Sequence, residues 1–481
     1  MDKELLEKIE TLHNNEEHYS IIELVYSIDE SERDYDAISL LARALNNTQN
    51  YDEALDHLMY IREDGIDDPL WHFRVGYSYF YKNEKDAAKQ YLYKTIELMD
   101  GHKNIEILES SKRLYTLCFE DDDNGINFIK RTELFWKWFE ENEEYISSML
   151  QNNHDDLINF VSSGVKIISD NLSFNITKNY KFIFTVDGKN YLFYLIPKII
   201  SSMPYKLREK WTFLPYLPSS EGINFSIEVQ NKKIYMQEVF IKIEFDTEND
   251  KFDLIFYNSE LNNLDREEAY NIFFIMMENS IGEGLSRIYI RYVDISSTKL
   301  YNMITLTELE EYMKKILQFY RKELITDPIK QYFSYTFEPK NTDIPRYDII
   351  AGITSYYETI NDYYSENVHD IVEISKCGAR ALFLSYTYDD ENDNDEIRRE
   401  ILNERYEIQN RLEKEVLGHS GNEIGIVVGR AIGIYNIYID LIVYDEDEFI
   451  KRAKILLAEY DRNFYISKLR KHSEIKNIFD Y

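Results

Sequence analysis

The chain has 481 residues, and its 88 Asp and Glu against 55 Lys and Arg give a formal net charge of −33. A field of that sign repels nucleic-acid phosphate and anionic lipid, so we expect neither as a partner. Cys118 and Cys377 are too few and too distant to suggest a disulfide framework or a zinc site. No apolar run reaches the roughly 18 residues of a membrane span, and the polar start lacks a signal core, which predicts a cytoplasmic protein.

An internal similarity lies near the start of the chain, where the segments beginning at Tyr35 and Pro69 align at a constant offset of 34 residues. Small residues on both helices of a unit let the helices approach closely. We therefore predict helix–turn–helix units over residues 35–102, with Gly76 and Ala88 at the close contact. A weaker copy extends backward. The matched positions are Ala42 with Gly76, Leu45 with Tyr79, Ala54 and Ser20 with Ala88, and Leu58 and Leu24 with Leu92.

This spacing resembles that of tetratricopeptide repeats. The match departs from the family at one place, because the usual first-helix tryptophan would fall on His72 and the chain has Trp71 instead. Residues 103–150 have a helical pattern without the small residues, and we assign them to the same array. An ordinary bundle of helical hairpins is the alternative.

The resemblance implies a groove lined by the first helix of each unit. Its partner-binding residues would be Arg43, Asn46, Phe73, Tyr77 and Phe80. Ser39 and Arg43 stand where some family members carry a Lys and Asn clamp for a chaperone's C-terminal carboxylate, so that ligand is disfavoured. Aromatic rings with one Arg suit an extended or helical peptide, with Arg43 contacting an anion. Alternatively, these rings pack against following helices near Trp136 and Trp138.

From about Asn179 the hydrophobic period changes to two, which is typical of strands. The predicted strands are 181–186, 210–217, 236–245, 251–257 and 287–295, with helices at about 190–203 and 264–281. A connecting helix is predicted over 304–324, with Thr305 and Glu308 as a capping box. Beyond Arg346 we predict strands at 347–354, 379–388 and 463–469, a hairpin at 422–444, and helices at 355–375, 397–417 and 446–460.

These patterns predict a multidomain protein, with an N-terminal α-helical tetratricopeptide-like array followed by two α+β domains. The predicted boundaries are 1–150 for the array, 151–303 for the first α+β domain, 304–345 for a connecting helix and linker, and 346–481 for the second. Sheets with helices on one face fit both regions better than a doubly wound fold. Whether the two regions are duplicates is left open.

Three motifs resemble known metal, phosphate or thiol sites in part. The acidic run from Asp389 to Glu400 has the oxygen-ligand spacing of a calcium loop, but Asn394 replaces the required glycine, and we predict no metal. Gly425, Gly429 and Gly433 do not match a phosphate-binding loop. Cys377 fits a buried small hydrophobe better than a reactive thiol. We find no catalytic constellation and predict no cofactor.

The stretches FTVDGK…LIPKIISSMP and YDIIAGITSYYETIND…GRAIGIYNIYIDLIVYD, joined to the repeats, resemble a group of bacterial tetratricopeptide proteins, some in toxin–immunity neighbourhoods. That resemblance implies a protein-binding scaffold or adaptor, with immunity as one such role, and a protein or peptide as partner. The net charge favours a basic partner. The alternative is a hydrolase or transferase with its site between the α+β domains. The oligomeric state is left open.

Overall fold

The structure, a computed structural model, describes residues 3–99, 105–119, 125–152, 154–220, 225–340, 344–388 and 395–481. Its internal contacts divide the chain into two compact units. The helical unit comprises Met1–Gly125 with Asn361–Lys376, and the sheet unit comprises Ile126–Ile360 with Cys377–Tyr481.

In this part of the chain the α-helices are α1 (Lys3–Asn14), α2 (His18–Tyr26), α3 (Tyr35–Asn47), α4 (Tyr51–Tyr60), α5 (Arg62–Gly65), α6 (Pro69–Tyr81), α7 (Lys85–Leu98), α8 (Ile105–Leu117), α9 (Phe128–Asn152), α10 (His154–Val165), α11 (Ile196–Ser201), α12 (Arg266–Tyr289), α13 (Leu309–Phe319), α14 (Tyr357–Ser365), α15 (His369–Lys376), α16 (Asp395–Arg411) and α17 (Glu446–Leu457). The strands are β1 (Ser173–Thr177), β2 (Lys181–Thr185), β3 (Thr212–Leu214), β4 (Ser226–Val229), β5 (Lys232–Tyr235), β6 (Phe240–Asp246), β7 (Lys251–Tyr257), β8 (Ile290–Ile295), β9 (Ile304–Thr305), β10 (Phe333–Thr336), β11 (Ile349–Thr354), β12 (Arg380–Thr387), β13 (Gly425–Gly433), β14 (Asn436–Val443), β15 (Phe464–Lys468) and β16 (Lys476–Asn477).

The 34-residue offset reappears in the helices, since α6 begins at Pro69 and α3 at Tyr35. Aspartate caps start both helices: Asp34 accepts from the Ala37 N–H, and Asp68 accepts from the Leu70 N–H. The predicted close approach at Gly76 is present. Its nearest neighbour, however, is Leu92 on α7, four residues beyond the fully buried Ala88.

The backward extension of the repeat is displaced by one residue. Ser20 is exposed, whereas Ile21 and Val25 are buried, so the predicted positions Ser20 and Leu24 are wrong by one residue. α2 begins at His18 and α4 at Tyr51, so their starts are 33 residues apart, one fewer than the repeat offset.

The helical unit is completed by a segment from late in the chain. α15 packs against α8, and Val368 and Val372 join a buried cluster with Leu92 and Leu114. The predicted helix over 355–375 is therefore two helices, α14 and α15. They are separated at Glu366, whose φ is +59°.

Helix α9 was predicted to continue the array, but it belongs to the sheet unit. The ring of Trp136 packs edge-on against Phe213, 4.9 Å between centroids, and that of Phe139 against Phe182, at 5.9 Å. This aromatic face covers the sheet β1–β2–β3, in which β1 and β2 are antiparallel and β2 and β3 parallel. The N-terminal segment of the helical unit thus ends at Gly125 and not at the predicted residue 150.

A second sheet has the order β8–β7–β6–β9. Strands β6 and β7 are antiparallel, and β7 and β8 are parallel because α12 lies between them in the chain. α12 continues to Tyr289 beyond a kink at Gly282, whose φ of +81° suits glycine. The helix therefore extends past the predicted end at 281, and the next strand begins at Ile290. The predicted capping box of Thr305 and Glu308 is present.

The third sheet has seven strands in the order β10–β11–β13–β14–β12–β15–β16, and all neighbours are antiparallel. α16 and α17 pack on it through Ile408 and Phe449, in one core with Leu384 and Ile439. Helices packed on largely antiparallel sheets make this a multidomain α+β layout. The two larger sheets differ in strand number and pairing, which offers no support for duplication. No described helix is long and apolar enough to cross a membrane.

Candidate functional site

Arg43 of α3 is half-buried, and its Nε and Nη2 atoms have neither solvent contact nor a hydrogen-bond partner among the described residues. Burial lowers the pKa of this guanidinium, and the nearby carboxylate of Glu10 on α1 opposes the shift. A buried donor without an acceptor costs about 1–3 kcal/mol, and more when the group is charged. A water molecule or a ligand could supply the missing acceptors.

Two histidines belong to the same region, because Arg43 and His18 both lie close enough to His13 for their charges to act on it. The rings of His13 on α1 and His18 on α2 are 5.5 Å apart between centroids, and the Nδ1 atom of each is buried without a partner in the part of the chain that the structure describes. Burial lowers the pKa of His13, and the charges of Arg43, His18 and Arg74 lower it further. Four basic side chains from four helices therefore converge, and we call His13, His18, Arg43 and Arg74 the cationic cluster.

Arg74 of α6 forms the inner part of this cluster. It is 8% exposed, and its Nη1 donates to the hydroxyl of Ser39 on α3. Burial lowers its pKa to about 10, and the charge of Arg43 acts in the same direction. Asp68, Tyr35 and Asp36 act in the opposite direction. The charge of Arg74 is thus partly balanced within the protein.

Asn46 joins α3 to α6. Its Nδ2 donates to the carbonyl of Arg74 at 3.1 Å, and its Oδ1 accepts from the Ser78 hydroxyl at 2.7 Å. The side chain is buried. The structure therefore uses this amide inside the unit, where it fixes the relative position of the two first helices.

The predicted aromatic residues form a continuous row. Tyr77 packs against Phe73 at 5.9 Å and against Tyr81 at 4.5 Å, and Tyr81 stacks on Tyr51 at 5.6 Å, between ring centroids. Phe80 also contacts Tyr81, at 5.2 Å. We call these five rings the aromatic row.

One side of the aromatic row is covered by the protein itself. Phe73, Tyr77 and Phe80 are half-buried against the cluster that α7, α8 and α15 share. Burial raises the pKa of Tyr77 well above its usual range. The predicted alternative, packing against following helices, thus holds in part, although Trp136 and Trp138 lie in the sheet unit. Tyr81, at 44% exposed, offers the open edge.

Helix α8 lies beside the aromatic row. Arg113 of α8 is close enough to Tyr77 for its charge to act on the phenol, and it pairs with Glu366 at 2.6 Å. A cleft of about 530 Å³ lies there between α8 and residues 364–369.

The sheet unit holds a second cleft, of about 610 Å³, lined in part by Asp187, Phe274, Glu278 and Arg287. Burial raises the pKa of the Glu278 carboxyl to about 7, and the charges of Glu283 and Asp187 contribute. This cleft lies within the predicted 151–303 region and not between the two predicted α+β domains.

The neighbouring Glu283 has a structural role. Its carboxylate accepts the backbone N–H groups of Val186 and Asp187, each at 3.1 Å, and of Leu217 at 2.9 Å. Glu283 thus holds two loops beside the kink of α12.

Among the described residues, no group of three or more His, Cys, Asp and Glu is placed to hold a metal ion. The first residues of the considered calcium loop, Asp389 to Asn394, lie outside the described part. Cys118 and Cys377 are buried, as the sequence predicted for Cys377. His13, His18 and Arg74 were missed as site residues, because nothing in their spacing separates them from the other His and Arg residues of the helices.

No protein-family model, curated protein or solved structure matches this chain. The resemblance to tetratricopeptide repeats therefore stays a prediction.

Proposed function

We propose that the helical unit is the binding module of a scaffold or adaptor protein. It holds an extended or helical segment of a partner protein across α1, α3 and α6. The observation that carries the proposal is Arg43, whose buried donors lack acceptors among the described residues and whose helix, α3, packs against α6 with its row of half-exposed rings.

The chemistry of this surface suits a peptide. Aromatic rings supply apolar contact area at low conformational-entropy cost, and a guanidinium recognises a planar anion in a fixed geometry. The segment would place an acidic group on Arg43 and apolar side chains on Tyr77 and Tyr81. Phe73 and Phe80 would support these rings from beneath, and Asn46 would keep α3 and α6 in register.

The rest of the protein bears on the choice of partner. A net charge of −33 accelerates association with a basic protein and slows association with an acidic one. A partner that is basic overall is attracted by the net negative charge of the chain. An acidic group in its bound segment then fits the cationic cluster. An immunity-like role would follow if that partner were a basic toxin.

Site-specific photo-crosslinking tests the proposal. A crosslinking residue at position 81 of the full chain should capture one recurrent segment of a partner, identified by mass spectrometry. The same residue at Tyr60, which is 80% exposed on α4, is the matched control. Capture at 81 that Arg43→Gln abolishes supports the groove, whereas equal capture at 60 and 81 rules it out.

A second candidate function is hydrolase or transferase activity in the sheet-unit cleft. The observation that favours it is Glu278, whose pKa of about 7 suits proton transfer near neutral pH. The full chain would be assayed against chromogenic esters, phosphates and glycosides, with Glu278→Gln and the exposed control Glu267→Gln. Turnover lost only in Glu278→Gln supports an enzyme, and turnover that survives this change, or none at all, counts against it.

A further inference from the structure

We propose that the cationic cluster is an oxyanion-binding site that takes one carboxylate or phosphate-like group, and that it binds more tightly as the pH falls. The inference rests on the proposed function in one respect, which is that the anionic group belongs to a segment of the partner protein. It adds the chemical class of the ligand and the condition that controls its binding.

The cationic cluster contains buried hydrogen-bond donors without acceptors. Four buried nitrogen atoms lack acceptors within the described ranges of the chain: Arg43 Nε and Nη2, His13 Nδ1 and His18 Nδ1. Both ring nitrogens of a histidine donate when the imidazole is protonated. An oxyanion has several lone pairs on adjacent oxygens, so one group can accept from more than one of these atoms. Charge-assisted hydrogen bonds of this kind are roughly twice as strong as neutral ones.

The charges around the cationic cluster leave it with a net positive charge. The charge of Arg74 is partly balanced by the carboxylates of Asp68 and Asp36, which lie near it. Arg43 faces Glu10, an exposed carboxylate on α1. The cluster is therefore positive in a protein that is strongly negative, and Glu10 is the acidic group that an incoming anion must compete with.

The pH dependence follows from His13. Burial and the neighbouring cations lower its pKa from 6.5, so the empty site holds a neutral ring at pH 8. As the pH falls below about 6.5, protonation adds a charge and a donor. A bound anion favours the charged ring, so anion binding and protonation strengthen each other.

Calorimetric titration of the full chain with sulfate, at pH 6.0 and at pH 8.0, tests the inference. Sulfate keeps its charge over this range, and chloride holds the ionic strength constant. We expect binding about three- to fivefold tighter at pH 6.0, because a rise of roughly one pKa unit in a linked group gives its full tenfold effect only well below the pKa of the empty site. Acetate forms a second arm: similar affinity for acetate points to a carboxylate on the partner, and a clear preference for sulfate points to a phosphoryl group.

Single substitutions test whether sulfate binds at the cationic cluster. Arg43→Gln should weaken sulfate binding by about tenfold or more, the usual worth of a hydrogen bond to a charged group. His13→Gln should remove most of the pH dependence, and Glu10→Gln should strengthen binding. Arg62→Gln, an exposed change of equal charge on α5, should leave it unaltered.

The outcomes separate the two ideas. Arg43→Gln removes a buried charge whose donors lack acceptors, so it should fold, and its thermal unfolding verifies this. No sulfate binding at either pH, or an equal loss in Arg62→Gln, overturns the oxyanion site. If sulfate binds at the cluster but position 81 captures no partner, the proposed function fails and the anion site stands. If position 81 captures a partner but sulfate does not bind, the anion site fails and the proposed function stands.

Discussion

Gly76 on α6 lies directly against Leu92 on α7. A β-carbon at position 76 would come within 2.8 Å of Leu92 Cγ and 3.2 Å of its backbone nitrogen. In an open helix, Gly→Ala would stabilise by about 1 kcal/mol. Here the methyl group overpacks the contact, which costs about 1–3 kcal/mol. We therefore expect Gly76→Ala to lower stability, measured as faster hydrogen exchange in peptides from α6 and α7.

A double-mutant cycle checks the cause. Leu92→Ala will itself destabilise the unit, but Gly76→Ala should cost less in the Leu92→Ala background than in the parent, because the smaller side chain leaves room for the methyl group. Slower exchange in Gly76→Ala alone would show that the two helices are not in close contact.

Asn46→Ala is expected to loosen the helical unit, not merely to weaken partner binding. The change removes the bond to the Arg74 carbonyl and the one from the Ser78 hydroxyl, both buried, at about 1–3 kcal/mol for the groups left unsatisfied. Hydrogen exchange of α3 and α6 provides the measurement. Asn47→Ala, an exposed neighbour, is the control. Equal exchange rates in the two variants would show that Asn46 does not stabilise the packing of α3 against α6.

Much of the fold could be predicted from local patterns. β7 matches the predicted strand 251–257 at both ends, because its side chains alternate between buried and half-buried. The errors arise where long-range packing decides. The ring of Trp136 packs α9 against the sheet β1–β2–β3. The helix that α15 contacts, α8, lies about 250 residues earlier in the chain. No local pattern carries either fact.

The candidate site shows the same division. Arg43 could be predicted because the repeat spacing puts it on the first-helix face. His13 and His18 could not, since the position of His13 near both Arg43 and His18 depends on how α1, α2 and α3 pack together. The burial of Asn46 could not be predicted from the sequence either. An asparagine that faces a groove and one that bridges two helices occupy the same position in the repeat.

The sheet unit contains an ion pair that should be intolerant of single changes. Arg346 and Asp440 are both fully buried and bonded in two places, with Nη2 to Oδ2 at 3.1 Å. Arg346→Met would leave a carboxylate buried without its cation, and we expect a loss of about 3–5 kcal/mol. Tryptophan fluorescence during urea unfolding is the measurement, because three of the four Trp residues lie in this unit.

An exposed pair gives the control for that experiment. Arg291 pairs with Asp253 at 2.5 Å, but its side chain is 45% exposed, and Arg291→Met should cost less than about 1 kcal/mol. Replacing both members of the buried pair by apolar residues should recover much of the loss. Equal effects at 291 and 346 would mean that burial does not set the strength of these pairs.

Glu278 predicts a pH dependence of stability in the sheet unit. Burial raises its pKa from 4.5 to about 7 in the folded protein. Its contribution is therefore fully favourable below about pH 4.5 and is lost as the pH rises towards 7. Glu278→Gln, which cannot ionise, should be more stable than the parent at pH 8 by about 2 kcal/mol and nearly equal at pH 4.5. Urea midpoints across this range give the comparison, with Glu267→Gln as an exposed control on the same helix, and parallel profiles for all three proteins would contradict the raised pKa.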